Sequence, residues 1–150
     1  MTSQIREILP PATASAFPAL SQLRPTLVGT ADFVRIVDEV QRLEGYRLVG
    51  VFERGQPSAL AVAGFRVRHS LSAGRFLYVD DLSTIASARR QGYARRLLDW
   101  LLDEARQLEC AQVHLDSGVG LDRADAHRLY LNTGMTITAH HFAVPLRPAT

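Results

Sequence analysis

The chain has 150 residues, is 47% hydrophobic and 21% charged, and carries a formal net charge of +2. Its length predicts one domain over residues 1–150, and its apolar content argues against disorder. A nucleic-acid binder usually concentrates basic residues without interleaved acids, which this chain does not do. The single cysteine, Cys110, excludes an internal disulfide, and no apolar run approaches the ~20 residues of a membrane helix. We therefore expect a cytoplasmic protein without nucleic-acid or membrane partners.

In chain order, the hydrophobic pattern predicts alternating strands and helices. Strands are predicted at residues 4–9, 46–53, 58–68, 76–82 and 113–117. Helices are predicted at residues 13–23, 30–44, 93–109 and 122–133, the second capped by Thr30 or Asp32 and ended by Gly45. The last segment, residues 135–146, predicts one or two more strands. A helix separates the last two of the five listed strands, which implies that these two run parallel.

The segment DDLSTIASARRQGYARRLL, residues 80–98, joins a strand to the start of the long helix. Its Gly92 permits close approach to the backbone, and a helix start presents free N–H groups and the positive end of the helix dipole. Four arginines gather at this end, where the dipole alone would favour acids; they are Arg89, Arg90, Arg95 and Arg96. The combination predicts an anion site. The nucleotide-triphosphate and dinucleotide loops do not match, because the lysine of the first and two glycines of the second are missing.

The same segment resembles the acyl-CoA loop of the GNAT superfamily of N-acetyltransferases, Arg/Gln-x-x-Gly-x-Gly/Ala, through Arg89, Gly92 and Ala94. Many members have a proline where this chain has Ala86. The resemblance implies acetyl-CoA as co-substrate, held by loop amides at its pyrophosphate and by the preceding strand along its pantetheine arm. The cofactor-binding residues it implies are Leu82, Ser83 and Thr84 for pantetheine, Arg90, Gln91, Gly92, Tyr93, Ala94 and Arg95 for pyrophosphate, and Arg89 as the first residue of the motif.

A second stretch, AHRLYLNTGM, resembles the family pattern Ala-x-x-x-Tyr-x-x-x-Gly-Phe through Ala126, Tyr130, Gly134 and Met135. In many members this tyrosine lies beside the sulfur of the co-substrate. The resemblance therefore implies that Tyr130 is a catalytic general acid for the departing thiolate; the alternative is a tyrosine that packs within its helix. Where the family often has asparagine, three residues before the alanine, this chain has Arg123.

Asp80 and Asp81 end the strand that leads into the loop and are the candidates for the catalytic base. Strand neighbours point to opposite faces, so at most one is expected to face the substrate unless a bulge intervenes. Attraction of the amine, or an ion pair with a nearby arginine, are the alternatives, because an ordinary aspartate is a weak base near neutral pH. His114 is a less favoured base. The other histidines lack partners at ligand spacing, so no metal is expected.

The order of elements extends the resemblance over essentially the whole chain. It implies an α+β fold, with a mixed twisted sheet of about six to seven strands flanked by about four helices. The implied function is acetyl transfer from acetyl-CoA to a primary amine, by direct attack in a ternary complex. A non-catalytic acyl-CoA-binding module and a polyanion-binding protein are the alternatives.

A small molecule and a peptide are both open as the amine acceptor, and acyl groups other than acetyl are open as well. The segment after the last helix has little room for two strands. A second subunit could supply a missing strand, so a homodimer is one hypothesis.

Overall fold

The computed structural model describes residues 2–148 and contains one five-stranded sheet and four α-helices. The strands are β1 (Ser3–Ile8), β2 (Arg47–Glu53), β3 (Ala61–Ser70), β4 (Gly74–Thr84) and β5 (Gln112–Leu115). The helices are α1 (Phe17–Leu23), α2 (Thr30–Ile36), α3 (Tyr93–Gln107) and α4 (Ala124–Asn132). Among residues 2–148, none of the helices has both the length and the apolar character that crossing a membrane requires.

The strands follow one another in space as they do in sequence, from β1 to β5. Neighbouring strands are antiparallel except β4 and β5, which are parallel. Helix α3 connects these two strands, which confirms the parallel pair predicted from the sequence. The first five residues of β3 are all buried, as expected of a central strand with apolar residues on both faces.

Two helical layers cover opposite faces of this sheet. Val62 of β3 belongs to the core that includes Phe33 of α2, whereas Phe65 of the same strand packs edge-on against Trp100 of α3, with ring centroids 5.8 Å apart. An odd separation along a strand places these two side chains on opposite faces. The apolar stripe of α3 is buried as its spacing predicts; it consists of Leu97, Leu98, Leu101 and Ala105.

Neither of the first two helices has a polar residue at its N-cap. Residues Ala12–Ala16 form a 3₁₀ turn and α1 begins only at Phe17, with Pro18 in its first turn, so the helix predicted from residue 13 is α-helical only in its later part. At α2, Gly29 occupies the N-cap position and no side chain caps the helix, so the predicted cap by Thr30 or Asp32 is wrong. The Asp32 carboxylate pairs with Arg35 instead, at 2.7 Å. After α2 the chain continues through a π-helical and a 3₁₀ turn before it reaches Gly45.

The pairing of β3 with β4 contains a β-bulge at the point where the two acids lie. Gly64 pairs with Asp81, but the next residue, Phe65, pairs with Val79. Asp80 is therefore an extra residue on β4 without a partner opposite it, and the simple alternation of faces is interrupted there.

The predicted strands in residues 135–146 are wrong, because this segment contains no strand in the described part of the chain, residues 2–148. Four of its apolar side chains are largely exposed; they are Ile137, Phe142, Val144 and Leu146. A strand needs a neighbour for its backbone hydrogen bonds, and alternating polarity alone does not supply one. This accounts for a sheet of five strands rather than six to seven. The homodimer stays a prediction.

The chain divides into two compact units, Met1–Leu115 and Asp116–Thr150. The first contains the whole sheet and every buried side chain of the described residues. The second contains a 3₁₀ turn at Leu121–Arg123 and helix α4, whose C-terminal end is marked by Gly134 with a φ of 92°.

Candidate active site

The β-bulge on β4 presents two carboxylates, each held by an arginine from a different element. Arg66 of β3 donates two hydrogen bonds to Asp80, from Nη2 to Oδ1 at 2.7 Å and from Nε to Oδ2 at 3.0 Å. Arg24, just after α1, donates from Nε to Oδ1 of Asp81 at 2.9 Å, and its Nη2 lies 2.8 Å from the same oxygen. The Nη2 group also reaches the Asp80 carbonyl at 3.0 Å. Both acids therefore belong to ion pairs.

Tyr46 completes the second ion pair and was not identified from the sequence. Its hydroxyl donates to Oδ2 of Asp81 at 2.6 Å, and its side chain is almost fully buried. Burial, and then the negative charge of Asp81, raise the pKa of Tyr46 well above its ordinary value. The phenol is therefore protonated at neutral pH and acts as the donor.

Gly64 makes the contact between Tyr46 and Asp81 possible. A Cβ atom at this position would lie 1.8 Å from the Tyr46 hydroxyl oxygen, so only glycine leaves room for the ring over β3. A glycine inside the apolar run ALAVAGF is the one sequence signal that could have indicated a close approach here. It could not have indicated which residue approaches.

A cavity of roughly 200 Å³ opens beside this group of residues. Most of its wall comes from α1, from α2 and from the connection between them, and Asp81 supplies the contribution of β4. The lining residues are Leu20, Arg24, Thr26, Leu27, Phe33, Ile36, Val37, Gln41, Tyr46 and Asp81.

Beyond the acids, Leu82, Ser83 and Thr84 complete β4 and pair with β3. The parallel ladder with β5 stops at Val79, so within Met1–Leu115 the last part of β4 has a neighbour on one side only. The Ser83 hydroxyl donates to the Ala19 carbonyl of α1 at 2.8 Å. The backbone of Leu82–Thr84, rather than the Ser83 side chain, is thus the group left for a ligand.

The loop that follows enters α3 through two residues in the left-handed conformation, Arg90 with φ 64° and Gly92 with φ 82°. Gly92 is the N-cap residue, and no side chain caps the helix. The first hydrogen bond of α3 runs from the Arg96 N–H to the Gly92 carbonyl at 3.1 Å. The N–H groups of Tyr93, Ala94 and Arg95 precede it and have no such acceptor. A Cβ at Gly92 would meet no described atom within 4 Å, so the space above the loop is open.

The four arginines of this region have different contacts. Arg96 reaches across to Ser3 of β1, Arg95 pairs with Asp99 one turn later at 3.2 Å, and Arg89 bonds Gln22 at 3.3 Å. Arg90 is exposed and makes no hydrogen bond or ion pair with the described residues. The uniform arginine cluster suggested by the sequence is therefore reduced to Arg90 and the weakly held Arg89 and Arg95.

In the second unit, Tyr130 is half-buried on α4. Burial raises its pKa, while the charge and hydrogen bond of Arg123 act in the opposite direction. The phenol is protonated at neutral pH, which is the state that a general acid requires. Arg123, at the position where the family often has asparagine, therefore interacts with the tyrosine of the second motif.

The histidines considered as a base or as metal ligands have local partners. In the first unit, His114 stacks on Phe76 with ring centroids 4.6 Å apart. In the second unit, His127 bonds the Gly118 carbonyl at 2.8 Å, and His141 lies 3.3 Å from Asp116. Within residues 2–148, no three His, Cys, Asp or Glu residues are grouped as a metal site would require.

The model of the Acetyltransferase (GNAT) family matches residues 11–135. The chain belongs to the GNAT family. This GNAT chain is 36% identical over 134 residues to the "Uncharacterized N-acetyltransferase YhdJ" of Bacillus subtilis (strain 168), covering 89% of this chain and 91% of the relative. Family and relative together identify an N-acetyltransferase, which confirms the resemblance noted in the sequence.

Solved structures support the GNAT fold. Glucosamine-6-phosphate N-acetyltransferase from Arabidopsis thaliana matches with a TM-score of 0.78 at 17% identity, over 98% of this chain and all of that one. An aminoglycoside N-acetyltransferase in complex with CoA matches with a TM-score of 0.80 at 14% identity, over 98% of this chain and 96% of that one. At these identities the likeness concerns the fold. The fold class expected for this GNAT chain is confirmed, although its sheet has fewer strands.

Proposed function

We propose that this GNAT chain acts as a single N-acetyltransferase domain that moves the acetyl group of acetyl-CoA to a primary amine, by direct attack in a ternary complex. The observation that carries the proposal is the start of α3. Three N–H groups precede the first helical hydrogen bond, Gly92 is left-handed with open space at its Cβ position, and Arg90 is exposed, which together favour the binding of a pyrophosphate.

The backbone N–H groups from Arg90 to Arg95 would bind the pyrophosphate, with Arg89 beside them. The one-sided end of β4, Leu82–Thr84, would bind the amide groups of the pantetheine arm as a neighbouring strand would. When bound, acetyl-CoA supplies an activated thioester. An aminoglycoside acetyltransferase of the same fold is in complex with CoA, which supports this choice of co-substrate.

The acids of the β-bulge receive different roles in this proposal. Asp81 lines the cavity, so we assign it the contact with the acceptor amine and the receipt of its proton, directly or through water. Asp80 is held by two hydrogen bonds from Arg66 and is a positioning residue for the strand end. Tyr130 is assigned the general acid that protonates the departing thiolate, supported by the family motif and its raised pKa.

Calorimetric titration with acetyl-CoA tests the proposal on wild type, Gly92→Trp and Gly74→Trp. Both glycines have a positive φ and open space at Cβ, but Gly74 lies at the opposite end of β4. We expect wild type and Gly74→Trp to bind alike and Gly92→Trp to lose about 100-fold or more in affinity, because the indole occupies the anion site.

No binding by wild type would overturn the acetyltransferase proposal. Equal binding by all three proteins would show that acetyl-CoA binds at a site other than the loop around Gly92. Binding without turnover on any amine would favour the non-catalytic module.

A further inference from the structure

The cavity beside β4 contains one positive and one negative side chain, and they are bonded to each other. Asp81 lies inside, with its side chain 13% exposed, and Arg24 lies toward solvent, with its side chain 51% exposed. The other lining residues are apolar or neutral. The cavity is therefore neutral overall and offers no surplus of acid to a polycation, contrary to what two adjacent aspartates in the sequence suggest.

Both members of the pair retain capacity for further hydrogen bonds. Arg24 uses Nε and Nη2 toward the acids, which leaves the N–H donors of Nη1. Asp81 accepts one hydrogen bond at Oδ1, from Nε of Arg24, and one at Oδ2, from Tyr46, so Oδ2 keeps a lone pair. A ligand that complements this pair carries a cationic donor for the inner group and an anionic acceptor for the outer one, only a short distance apart.

The size and wall of the cavity restrict the rest of the ligand. Roughly 200 Å³ is below the ~300–1,000 Å³ of pockets for drug-sized ligands, so the cavity encloses only a small ligand completely. Much of the wall is hydrocarbon, and it is formed by Leu20, Leu27, Phe33, Ile36 and Val37. Such a wall binds a compact apolar group by removing it from water.

From this geometry we infer that the acceptor is a free α-amino acid with an apolar side chain. Its amino group bonds Asp81, its carboxylate bonds Nη1 of Arg24, and its side chain packs on the hydrocarbon wall. The inference rests on the proposed function. In the reaction the bound ammonium group first loses one proton to Asp81 or to water. The neutral amine nitrogen then forms a bond to the acetyl carbonyl carbon, and the carbon–sulfur bond breaks. The nitrogen loses its second proton to water, and the thiolate takes a proton from Tyr130, which water then reprotonates.

Matched acceptors test the inference through the release of free CoA thiol. Leucine and leucinamide share the amine and the side chain, but leucinamide lacks the carboxylate. We expect wild type to prefer leucine by about 10–100-fold in kcat/KM, as a hydrogen bond between charged groups predicts. Spermidine and an aminoglycoside are expected to be poorer still. Equal rates for leucine and leucinamide, or faster turnover of either polycation, would overturn the inference.

The variant Arg24→Gln tests whether the preference for leucine over leucinamide depends on Arg24. It is expected to raise the KM for leucine about tenfold more than the KM for leucinamide, because both acceptors lose the arginine that positions Asp81 but only leucine loses a partner for its carboxylate. An equal change in the two KM values would overturn the inference. Arg106→Gln is the matched control, because Arg106 also pairs with an aspartate, at 2.9 Å, but lies on the exposed face of α3. It should change neither value. A KM for leucine unaffected by Arg24→Gln would show that the carboxylate binds elsewhere.

Acetyl-CoA titration of each protein separates the two levels of the proposal. Retained binding of acetyl-CoA without acetylation of any amino acid would overturn the acceptor class and leave the co-substrate site intact. If wild type does not bind acetyl-CoA, the proposed function itself is overturned.

Discussion

Eight residues separate the end of β4 from the start of α3, yet the polar groups of these two regions differ in whether they have hydrogen-bond partners. At the end of β4, each acid is paired with an arginine, and Asp81 also accepts a hydrogen bond from Tyr46. At the start of α3, three N–H groups precede the first helical hydrogen bond, and Arg90 makes no hydrogen bond or ion pair with the described residues 2–148. In the first region other side chains of the protein supply the partners of the acids, whereas in the second region the N–H groups have no partner within the helix.

This difference matches the different requirements of the two proposed ligands, the acceptor amine and acetyl-CoA. The side chains of Asp80 and Asp81 are 19% and 13% exposed and each is paired with an arginine, so their positions are fixed without a ligand. An anion at a helix start gains about 0.3–1 kcal/mol from the dipole alone, in addition to its hydrogen bonds. In the proposed function, the acceptor side is therefore preorganised and neutral, and the co-substrate side selects negative charge.

The largest effect is expected from Gly64→Ala, which disrupts the hydrogen bond between Tyr46 and Asp81. The new Cβ would occupy the position of the Tyr46 hydroxyl and separate it from Asp81. We expect the free energy of unfolding to fall by about 2–4 kcal/mol, from overpacking and a lost buried hydrogen bond, as measured by chemical denaturation. Gly118→Ala is the control, since its Cβ would have a nearest neighbour at 3.9 Å. A change below about 0.5 kcal/mol for Gly64→Ala would contradict this account.

A smaller effect is expected from Tyr46→Phe, which keeps the ring and removes the donor to Asp81. The free energy of unfolding should fall by about 1–2 kcal/mol at neutral pH. The pH dependence is the sharper measurement. Since the pKa of Tyr46 is raised in the folded protein, its contribution is complete below the unfolded pKa of about 10 and is lost as the pH rises above it.

Wild type should therefore lose stability above about pH 10, and Tyr46→Phe should lose less over the same range. Tyr130 also has a raised pKa and contributes to the alkaline loss in both proteins. The difference between the two curves isolates Tyr46. Parallel curves above pH 10 would mean that Tyr46 is not held in its protonated form.

The sequence predicts the parts of this molecule that depend on local pattern. Period-two and period-three-to-four spacings locate the five strands, α3 and α4 to within a few residues, and the motif around Gly92 locates the loop before α3. Helix α1 begins four residues after its predicted start, and α2 ends at Ile36, eight residues before its predicted end. The ion pairs of Asp80 and Asp81 were only an alternative, because Arg24 and Arg66 come from distant parts of the chain. Tyr46 lies 35 residues from Asp81 and reaches it only across Gly64, so no spacing rule connects them. The prediction of strands after α4 was wrong because a strand needs a neighbouring strand to pair with, and the local sequence does not show whether one is present.

The smallest predicted effect separates the arginines of the open region by function. Arg90→Gln removes an exposed charge without a partner, so stability should change by less than about 0.5 kcal/mol while the affinity for acetyl-CoA falls about 2–5-fold at low salt. Arg96→Gln should do the reverse, because Arg96 connects α3 to Ser3 of β1. Its free energy of unfolding should fall by about 1 kcal/mol, with little change in affinity. Thermal denaturation and acetyl-CoA titration on both variants measure the two effects. If both variants lose affinity equally, the helix start is a general basic patch, and the separation of its arginines into ligand-facing and structural ones is wrong.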